Sequence, residues 1–360
     1  MQEINLGKIK IGPGRPCVII AEGCDNHLNS VSRAKEMCQA AKENGADIIK
    51  WQMHIPQEEM VKDEVVAASK ESLSKWGSLW HFYETHGLPV EAHLELKNYC
   101  DKIGIEYFCT PFSLRAAEIL NGMGVSGFKI GSGETDDLPM IEEIAKMGKP
   151  MIISTGMSEM NEIDLAVNAV KSAGAPLSLA HCMSVYNSLK ADLFQLGVIK
   201  RLGERYGVPV GLSDHTPPDG FADASGRHIG QESLIWGAIA QGACFIEKHF
   251  TLDRSQPDAD SCFSLDPRAL RELKDQVRAA ESAMSAERRV FEEEKPVALW
   301  AKRSVVARAS IPAGIPITRE MITSKRPGTG IRSNKYHEIL GRRTKNEISP
   351  GKLIKWDDLN

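Results

Sequence analysis

The chain has 360 residues, of which 42% are hydrophobic and 26% charged, and its net charge is -4. This composition is typical of a globular protein with one large and one small domain, and the negative balance argues against nucleic acid as a partner. No apolar run approaches the length of a membrane span. The first residues lack a secretion signal's apolar core, and the eight cysteines form no CxxC pair. We therefore expect a soluble cytoplasmic protein with reduced cysteines and no membrane partner.

Eight short apolar runs alternate with amphipathic segments over about 270 residues. We predict strands at Cys17–Glu22, Ala46–Gln52, Ile105–Thr110, Gly127–Ile130, Pro150–Ser154, Leu177–His181, Val208–Ser213 and Ala243–Lys248. Several of the intervening helical segments end at glycine, which is typical of a helix C-terminus. Eight such units predict an α/β fold, a (β/α)8 TIM barrel. A doubly wound sheet is the alternative, but it normally carries a G-x-G-x-x-G fingerprint, which we do not find in a suitable place.

The last part of the chain has a different sequence pattern from the predicted barrel. A charged segment that is poor in core residues covers 285–299 and is typical of a linker. After it, short β-branched runs such as Arg303–Arg308 and Gly314–Thr318 alternate with Pro and Gly, which indicates a small β-rich domain. We predict a barrel domain at 1–284, a linker at 285–299 and a small domain at 300–360.

Two histidines follow predicted strands at equivalent positions and suggest a metal site. His215 and His249 each have an acid nearby, Asp214 and Glu247 respectively. Because the carboxyl ends of barrel strands gather on one face, polar residues there are expected to form an active site. Two neutral imidazoles suit a divalent transition ion, and two hydrogen-bonded core histidines are the alternative.

Lysines, hydroxyls and carboxylates occupy the other predicted strand ends. Lys50 and Lys129 directly follow apolar runs, and together with several Ser and Thr hydroxyls they suit an anion with more than one charge, most simply a phosphate. Glu22 and Glu134 could complete a metal shell or transfer protons. A structural ion pair is the alternative for either carboxylate.

Ordered motifs over essentially the whole chain resemble the sialic acid synthase family, which condenses phosphoenolpyruvate with an aldose to form a nonulosonic acid. The matching segments are Ile20–Glu22 with Asn26–His27, Gly45–Gln52, Cys109–Phe112, Lys129–Glu134 with Leu138–Pro139, Ser154–Met157, His181–Cys182, Ser213–Thr216, Glu247–Leu252, Pro257–Asp258, Phe263–Leu265 and Lys325–Ile331. The last segment is similar to the family's C-terminal antifreeze-like (SAF) domain. The resemblance therefore implies a synthase barrel followed by that domain.

The resemblance also implies residue roles. It implies catalytic roles for Glu22, Glu134, His215 and His249, with the two histidines holding a divalent ion, manganese first and magnesium or cobalt as alternatives. Phosphoenolpyruvate would be held by Lys50, Lys129, Ser132, Ser154, Ser213 and Tyr186. The aldose acceptor would be held by Gln52, Asn26, Asp258 and Arg326. Because Arg326 would reach into the partner subunit's site, the resemblance implies a domain-swapped homodimer.

The departures from the family pattern fall outside the metal and phosphate positions. Ser113 stands where the family usually has Asp, Met183 and Asn187 replace an expected Thr and Pro, and Ala259 replaces an expected His. The stretch between the two histidines is about a dozen residues longer than usual and contains Gly220–Gly230, a candidate acceptor loop. We therefore expect a retained phosphoenolpyruvate half and a diverged acceptor half that takes an N-acylated hexosamine or a dideoxy hexose.

Two other functions remain open at this point. One is a divalent-metal aldolase on the same barrel that uses pyruvate, against which the paired lysines and serines weigh. The other is a non-catalytic protein whose C-terminal domain binds glycans or ice, with the barrel as a scaffold.

Overall fold

A computed structural model describes residues 2–62, 78–186, 190–223, 225–256, 260–284 and 287–360. The chain separates into two compact units, Met1–Ser285 and Ala286–Asn360. The strands, in chain order, are β1 (Ile4–Leu6), β2 (Ile9–Ile11), β3 (Val18–Glu22), β4 (Ile48–Met53), β5 (Glu106–Pro111), β6 (Phe128–Ile130), β7 (Met151–Ser154), β8 (Leu177–Cys182), β9 (Val210–Asp214), β10 (Phe221–Ala222), β11 (His228–Ile229), β12 (Phe245–His249), β13 (Ser304–Ala307) and β14 (Ile322–Lys325).

Helices follow most of these strands. In the first unit they are Val31–Glu43, Pro56–Glu59, Leu79–His86, Val90–Ile103, Leu114–Gly122, Leu138–Lys146, Met160–Ala173, Gly197–Tyr206, Glu232–Ala240 and Pro267–Ala283. The second unit has the short helices Lys295–Ala301 and Tyr336–Ile339. Among the described residues, none of the helices combines the length and the apolar character that a bilayer span needs.

The described part of the first unit contains one eight-stranded parallel sheet. Its strand order is β5-β4-β3-β12-β9-β8-β7-β6, and the two outer strands β5 and β6 lie against each other. The sheet therefore closes into a barrel, and its strands follow one another around the barrel in chain order. All eight predicted strands and the predicted TIM barrel are confirmed, and the doubly wound alternative is wrong.

The barrel interior is apolar at the amino-terminal ends of the strands. Successive strand residues point to opposite faces, so one alternate set points inward: Val18, Ile20, Ile48, Phe108, Ile152, Ala180 and Phe245. The antiparallel hairpin β1–β2 packs Ile4, Leu6 and Ile11 onto this set. Gly127 permits the close approach, because a Cβ there would lie 2.5 Å from Leu6 Cδ2. The hairpin thus closes this end of the barrel, and the open end is the carboxyl end.

The other alternate set faces the surrounding helices. Ile19, Ile49, Ile153, Leu179 and Ile246 belong to this outer core, and each is fully buried. All eight cysteines lie in described residues and are free, and all but Cys262 are buried. The helices therefore fix the strand positions from outside, while the inward set determines what the barrel encloses.

The second unit has its own small core around an antiparallel strand pair. β13 pairs with β14 in the register Ser304↔Lys325 to Ala307↔Ile322, which agrees with the predicted run Arg303–Arg308. The run Gly314–Thr318 forms no strand and contributes only the bridge Pro316↔Arg343. The segment predicted as a linker contains the start of the helix Lys295–Ala301.

Candidate active site

A cavity of about 760 Å³ opens at the carboxyl ends of the barrel strands. It is lined by eleven of the fourteen residues for which site roles are predicted from the sequence. They are Glu22, Lys50, Gln52, Lys129, Ser132, Glu134, Ser154, Tyr186, Ser213, His215 and His249. The inward alternation that makes the lower layer apolar also brings charged and hydroxyl side chains into this cavity, two residues later along the strand, as in Ile20 and Glu22 or Ile48 and Lys50.

A buried ionic layer forms the floor of the cavity. Lys50 Nζ contacts Glu22 Oε2 and lies 3.2 Å from Thr110 Oγ1. Glu247 Oε1 lies 3.7 Å from Lys50 Nζ and 3.2 Å from Lys129 Nζ. Glu247 is therefore shared by both lysines, and it is a central residue to which the sequence had given only a supporting place beside His249.

The charges in this layer offset one another. Burial lowers the pKa of Lys50 to about 8, although the Glu247 carboxylate opposes that shift. Burial alone would raise the pKa of Glu247, but the Lys129 and Lys50 ammonium groups outweigh it and hold that pKa at about 2. Ser213 Oγ donates to Glu247 Oε1 at 3.0 Å. The floor thus consists of two lysines and two glutamates with a hydroxyl fixing one carboxylate.

A cluster of hydroxyls lies beside this floor, where β6, β7 and β8 end. Ser132 Oγ donates to Ser154 Oγ at 2.9 Å. A Cβ at Gly156 would lie 2.7 Å from Ser132 Oγ and 2.3 Å from Ser184 Oγ. Only a residue without a side chain leaves this space open. We call Ser132, Ser154, Ser184 and Gly156 the serine cradle. Ser184 lines the cavity although no site role was predicted for it.

The two predicted metal-binding histidines lie side by side. Their ring centroids are 5.2 Å apart, and both rings are packed by Phe263, whose centroid is 5.0 Å from that of His249 and 6.2 Å from that of His215. His215 Nδ1 donates to the Met183 carbonyl at 3.1 Å, which leaves Nε2 with its lone pair available to a ligand. Tyr186 packs edge-on over His215 at 4.7 Å between centroids.

The donor set around His249 fits a divalent ion. Among the described residues its Nδ1 is buried without a hydrogen-bond partner, and Asp260 Oδ2 lies 3.4 Å away. Cys24 Sγ lies 2.8 Å from the same carboxylate oxygen. Imidazole nitrogen, carboxylate oxygen and thiol sulfur are all ligands of transition metals. Sequence reasoning missed both Cys24 and Asp260.

The opposite wall of the cavity combines polar and aromatic groups. Gln52 Oε1 lies 3.0 Å from His54 Nε2, and Glu59 holds the other ring nitrogen of His54 at 2.9 Å. The His54 ring is stacked between Tyr83, at 3.6 Å, and Phe112, at 4.1 Å. The stacked His54 ring thus holds the Gln52 amide in one orientation. This role of His54 was not predicted from the sequence.

Glu134 belongs to the same wall. Burial raises the pKa of its carboxyl to about 7, and the neighbouring Glu59 adds to the shift. Among the described residues, its Oε2 atom is buried without a hydrogen-bond partner. A carboxyl group in this state can hold or release a proton near neutral pH.

We expect Glu134→Gln to change how stability depends on pH. The folded state keeps the Glu134 proton up to a pH of about 7, whereas an unfolded chain releases it near about 4.3. Between these values the folded state binds more protons, so this group makes wild-type stability fall as pH rises. Denaturant midpoints of both proteins would be measured at one pH between the two pKa values and at one pH above both. Relative to the wild type, the glutamine variant should be more stable at the higher pH than at the lower one. Parallel pH curves for wild type and Glu134→Gln would contradict this, and Glu142→Gln, at an exposed position, is the control.

The other three predicted acceptor residues are Asn26, Asp258 and Arg326. Asn26 is buried, and its amide donates to the Phe250 carbonyl at 2.9 Å and to Ser264 Oγ at 3.0 Å. It thus joins the end of β3 to the segment after β12 and does not line the cavity. Asp258 lies outside the described residues. Arg326 belongs to the second unit, where its guanidinium lies 5.7 Å from the Trp300 ring centroid.

The long insertion after β9 does not contribute the contacts expected of it. It forms the hairpin β10–β11, in which Phe221 is buried against Phe194 with ring centroids 4.8 Å apart. Arg227 binds Asp223 of the same hairpin at 2.9 Å. None of Phe221, Arg227 and His228 lines the cavity. These three side chains serve the hairpin's own packing and surface, so the candidate acceptor loop contributes none of them to the cavity.

Two further sequence inferences change with the structure. Ser113 caps the helix Leu114–Gly122, accepting a hydrogen bond from the Ala116 amide at 3.2 Å, so the departure from Asp there concerns a helix cap. Asp214 points away from the cavity and binds Lys248 Nζ at 2.8 Å. The acid beside His215 is thus part of a buried structural ion pair.

Comparison with known proteins identifies the family. A model of the NeuB family matches residues 37–289, and a model of the SAF domain matches residues 302–360. An uncharacterized protein of Methanocaldococcus jannaschii is 36% identical over 100% of this chain and 99% of its own length. N,N'-diacetyllegionaminic acid synthase of Legionella pneumophila is 33% identical over 97% of this chain and 96% of its own.

A solved structure agrees with the sequence relatives. The N-acetylneuraminic acid (sialic acid) synthetase of Leptospira borgpetersenii, in complex with citrate, superposes with a TM-score of 0.70 and 29% identity, covering 82% of this chain and 95% of that one. The predicted resemblance to the sialic acid synthases and the predicted SAF domain are confirmed. The chain belongs to the NeuB family, and it is a synthase-type enzyme with a SAF domain at its C-terminal end.

Proposed function

We propose that this enzyme condenses phosphoenolpyruvate with the open-chain form of an N-acylated hexosamine or dideoxy hexose, giving a nonulosonic acid and phosphate. The observation that carries the proposal is the convergence of two buried lysines and the serine cradle on one cavity that also holds the His215–His249 pair. Ammonium and hydroxyl donors bind phosphate and carboxylate oxygens. A cavity of about 760 Å³ has room for a small phosphorylated acid and a sugar together.

The serine cradle is the proposed phosphate subsite. The Ser132 and Ser184 hydroxyls converge across the space left open by Gly156, and Ser154 Oγ lies 2.9 Å from Ser132 Oγ. Lys129 supplies charge from the floor. Lys50 and Lys129 would then keep Glu22 and Glu247 as partners while offering their remaining hydrogens to the anion. Cys182 lies nearby, with its sulfur 3.7 Å from Ser184 Oγ.

We expect Gly156→Ala to raise the KM for phosphoenolpyruvate by about 10- to 100-fold, because displacing one or two hydroxyls from a charged ligand forfeits roughly 1.5–3 kcal/mol. The acceptor KM should change little. Gly133→Ala is the matched control, since Gly133 also lines the cavity but a Cβ there meets no atom within 4 Å. Steady-state kinetics of both variants make the comparison. An equal rise in the KM values for phosphoenolpyruvate and for the acceptor in Gly156→Ala would contradict the assignment of phosphate to this subsite.

The acceptor subsite is proposed for the wall that carries Gln52, Tyr83 and Phe112. An amide held in one orientation can bind sugar hydroxyls, and the aromatic faces suit the apolar parts of an acylated sugar. Two relatives are named as an N,N'-diacetyllegionaminic acid synthase and an N-acetylneuraminic acid synthetase, and both names specify N-acetylated products. That agreement supports an N-acylated acceptor for this chain.

The proposed reaction forms a carbon–carbon bond and a carbon–oxygen bond and breaks a different carbon–oxygen bond. Carbon 3 of phosphoenolpyruvate attacks the aldehyde carbon, and Glu134 can deliver a proton to the aldehyde oxygen. Water then adds at carbon 2, and Glu22, beside Lys50, can accept its proton. Phosphate leaves as the bond between carbon 2 and the ester oxygen breaks. A divalent ion held by His215 and His249, manganese first with magnesium or cobalt as alternatives, would supply Lewis acidity toward the carbonyl oxygen.

Product analysis tests the proposal. The enzyme would be incubated with phosphoenolpyruvate and, in turn, with a panel of hexosamines and N-acylated deoxyhexoses, and products identified by mass spectrometry together with released phosphate. The proposal predicts a nonulosonic acid with stoichiometric phosphate from at least one N-acylated acceptor. Product from pyruvate in place of phosphoenolpyruvate, without phosphate, would establish the aldolase alternative instead.

We also propose, from the family resemblance, a domain-swapped homodimer in which Arg326 serves the partner's site. Arg326→Ala should then be inactive, because a guanidinium fork is hard to replace at a polar ligand. Mixing it with His215→Ala should restore part of the activity, since one site in each heterodimer has both an intact barrel and an intact arginine. Verified subunit exchange without rescue would place Arg326 outside the partner's site.

A further inference from the structure

A compact set of three different donors lies at the edge of the cavity. Cys24, His249 and Asp260 each offer one potential ligand atom, and these atoms all lie within 4.8 Å of one another. Cys24 Sγ and Asp260 Oδ2 are 2.8 Å apart, and His249 Nδ1 and the same oxygen are 3.4 Å apart. Four ligands at bonds of about 2.0–2.3 Å in a tetrahedron lie roughly 3.3–3.7 Å from one another. The three atoms therefore need only small shifts to surround one ion.

The fold explains why these residues meet. β12 pairs with β3 so that His249 stands opposite Glu22, and Cys24 follows Glu22 by two residues. The Cys24 backbone has φ of +44°, the left-handed region, and its amide donates to Glu22 Oε1 at 2.7 Å. Gly23 is required before it, since a Cβ there would lie 2.5 Å from the Trp51 ring. The turn thus directs a cysteine toward the last residue of the neighbouring strand.

An independent observation points to a ligand at this place. The His249 side chain is nine-tenths buried. Among the described residues its Nδ1 makes no hydrogen bond, although it faces Asp260 Oδ2 at 3.4 Å. Leaving a buried polar atom without a hydrogen-bond partner is destabilising. A bound cation would satisfy this nitrogen, and Asp260 would balance part of the charge. His215 lies beside this set, with its ring centroid 5.2 Å from that of His249.

We propose that Cys24 and Asp260 are ligands of the divalent ion together with His249, so that the site is a mixed thiolate, imidazole and carboxylate site. The Cys24 thiol loses its proton to solvent when the metal–sulfur bond forms. Thiolate ligation would shift the metal preference of this site away from the manganese that the family resemblance implies and toward zinc, cobalt or ferrous iron. This inference concerns the metal of the proposed function, and its test requires no turnover.

Cobalt spectroscopy of the full-length protein tests the ligand set. Chelator-treated enzyme would be titrated anaerobically with Co²⁺, and the near-ultraviolet thiolate-to-cobalt charge-transfer band recorded. We expect one ion per chain with this band in the wild type and loss of the band in Cys24→Ser, which keeps a hydrogen-bond donor for Asp260. Because changes in residues behind metal ligands already cost about 10–100-fold in affinity, Cys24→Ser should weaken Co²⁺ binding by at least about 100-fold. Asp260→Asn should keep the band and bind at least about tenfold more weakly.

The controls separate this inference from its alternatives. Cys262→Ser should keep the band, although Cys262 also lines the cavity. A wild-type Co²⁺ complex without the band, or a band lost in Cys182→Ser rather than in Cys24→Ser, would overturn the ligand assignment. Failure of the wild type to bind Co²⁺ would overturn both this assignment and the metal of the proposed function. A normal band in an enzyme that does not consume phosphoenolpyruvate would contradict the proposed function alone.

Discussion

His249→Ala is expected to abolish product formation while leaving the barrel folded. The imidazole is the last residue of β12, and it faces the cavity beside His215 and Asp260. Removing a ligand lowers both metal affinity and the electrophilic assistance that a bound ion gives to a carbonyl. A loss of about 4 kcal/mol of transition-state stabilisation corresponds to roughly a 1000-fold lower kcat/KM. Steady-state kinetics at saturating metal measures the effect.

A histidine elsewhere on the same unit provides the control. His228→Ala removes an imidazole from the exposed hairpin β10–β11, which does not line the cavity, and should retain wild-type kcat/KM. Circular dichroism establishes that both variants are folded. Wild-type activity of His249→Ala after exhaustive chelation would contradict a catalytic metal at this position.

Glu247→Ala is expected to cost about 3–5 kcal/mol of folding stability, the typical result of removing one partner from a buried ion pair. Lys50 and Lys129 would lose the carboxylate that lies 3.7 and 3.2 Å from their ammonium groups. Ser213 would lose its acceptor as well. Urea unfolding with matched slopes gives the free-energy difference.

Glu247→Gln separates charge from shape in this experiment. The amide keeps the size of the side chain and can still accept from Ser213, so the variant should be destabilised less than Glu247→Ala. If the free energy of unfolding of Glu247→Ala lies within about 0.5 kcal/mol of the wild-type value, the substitution has only the effect of an ordinary surface substitution. That result would show that the floor of the cavity tolerates loss of the carboxylate that the two lysines share, with Lys50 keeping only Glu22.

The barrel was predictable because its signals are local. Each strand is a short apolar run, and a polar residue such as Glu22, Lys50 or Ser154 appears where the run ends. In a parallel barrel these ends must meet on one face. The same rule correctly brought eleven side chains to one cavity without any knowledge of distances.

The parts that sequence reasoning missed depend on turns and on contacts between distant segments. Asp260 follows His249 in a segment whose sequence has no periodic pattern. Cys24 is one of eight cysteines, and its sequence neighbours do not reveal its left-handed backbone. His54 acts through stacking on Tyr83 and Phe112, which come from other elements. Asn26 was misplaced because a residue next to a strand end can turn away from the cavity and bind the chain behind it.

The origin of the oxygen in the released phosphate tests the central claim most directly. Phosphoenolpyruvate would carry heavy oxygen at the ester position that links carbon 2 to phosphorus, and turnover with the best N-acylated acceptor would be followed by mass spectrometry of both products. The proposed condensation breaks the bond between carbon 2 and that oxygen, so the label should appear entirely in phosphate, with an unlabelled nonulosonic acid. Label retained in the sugar acid, or no phosphate released as the acceptor is consumed, would contradict the account.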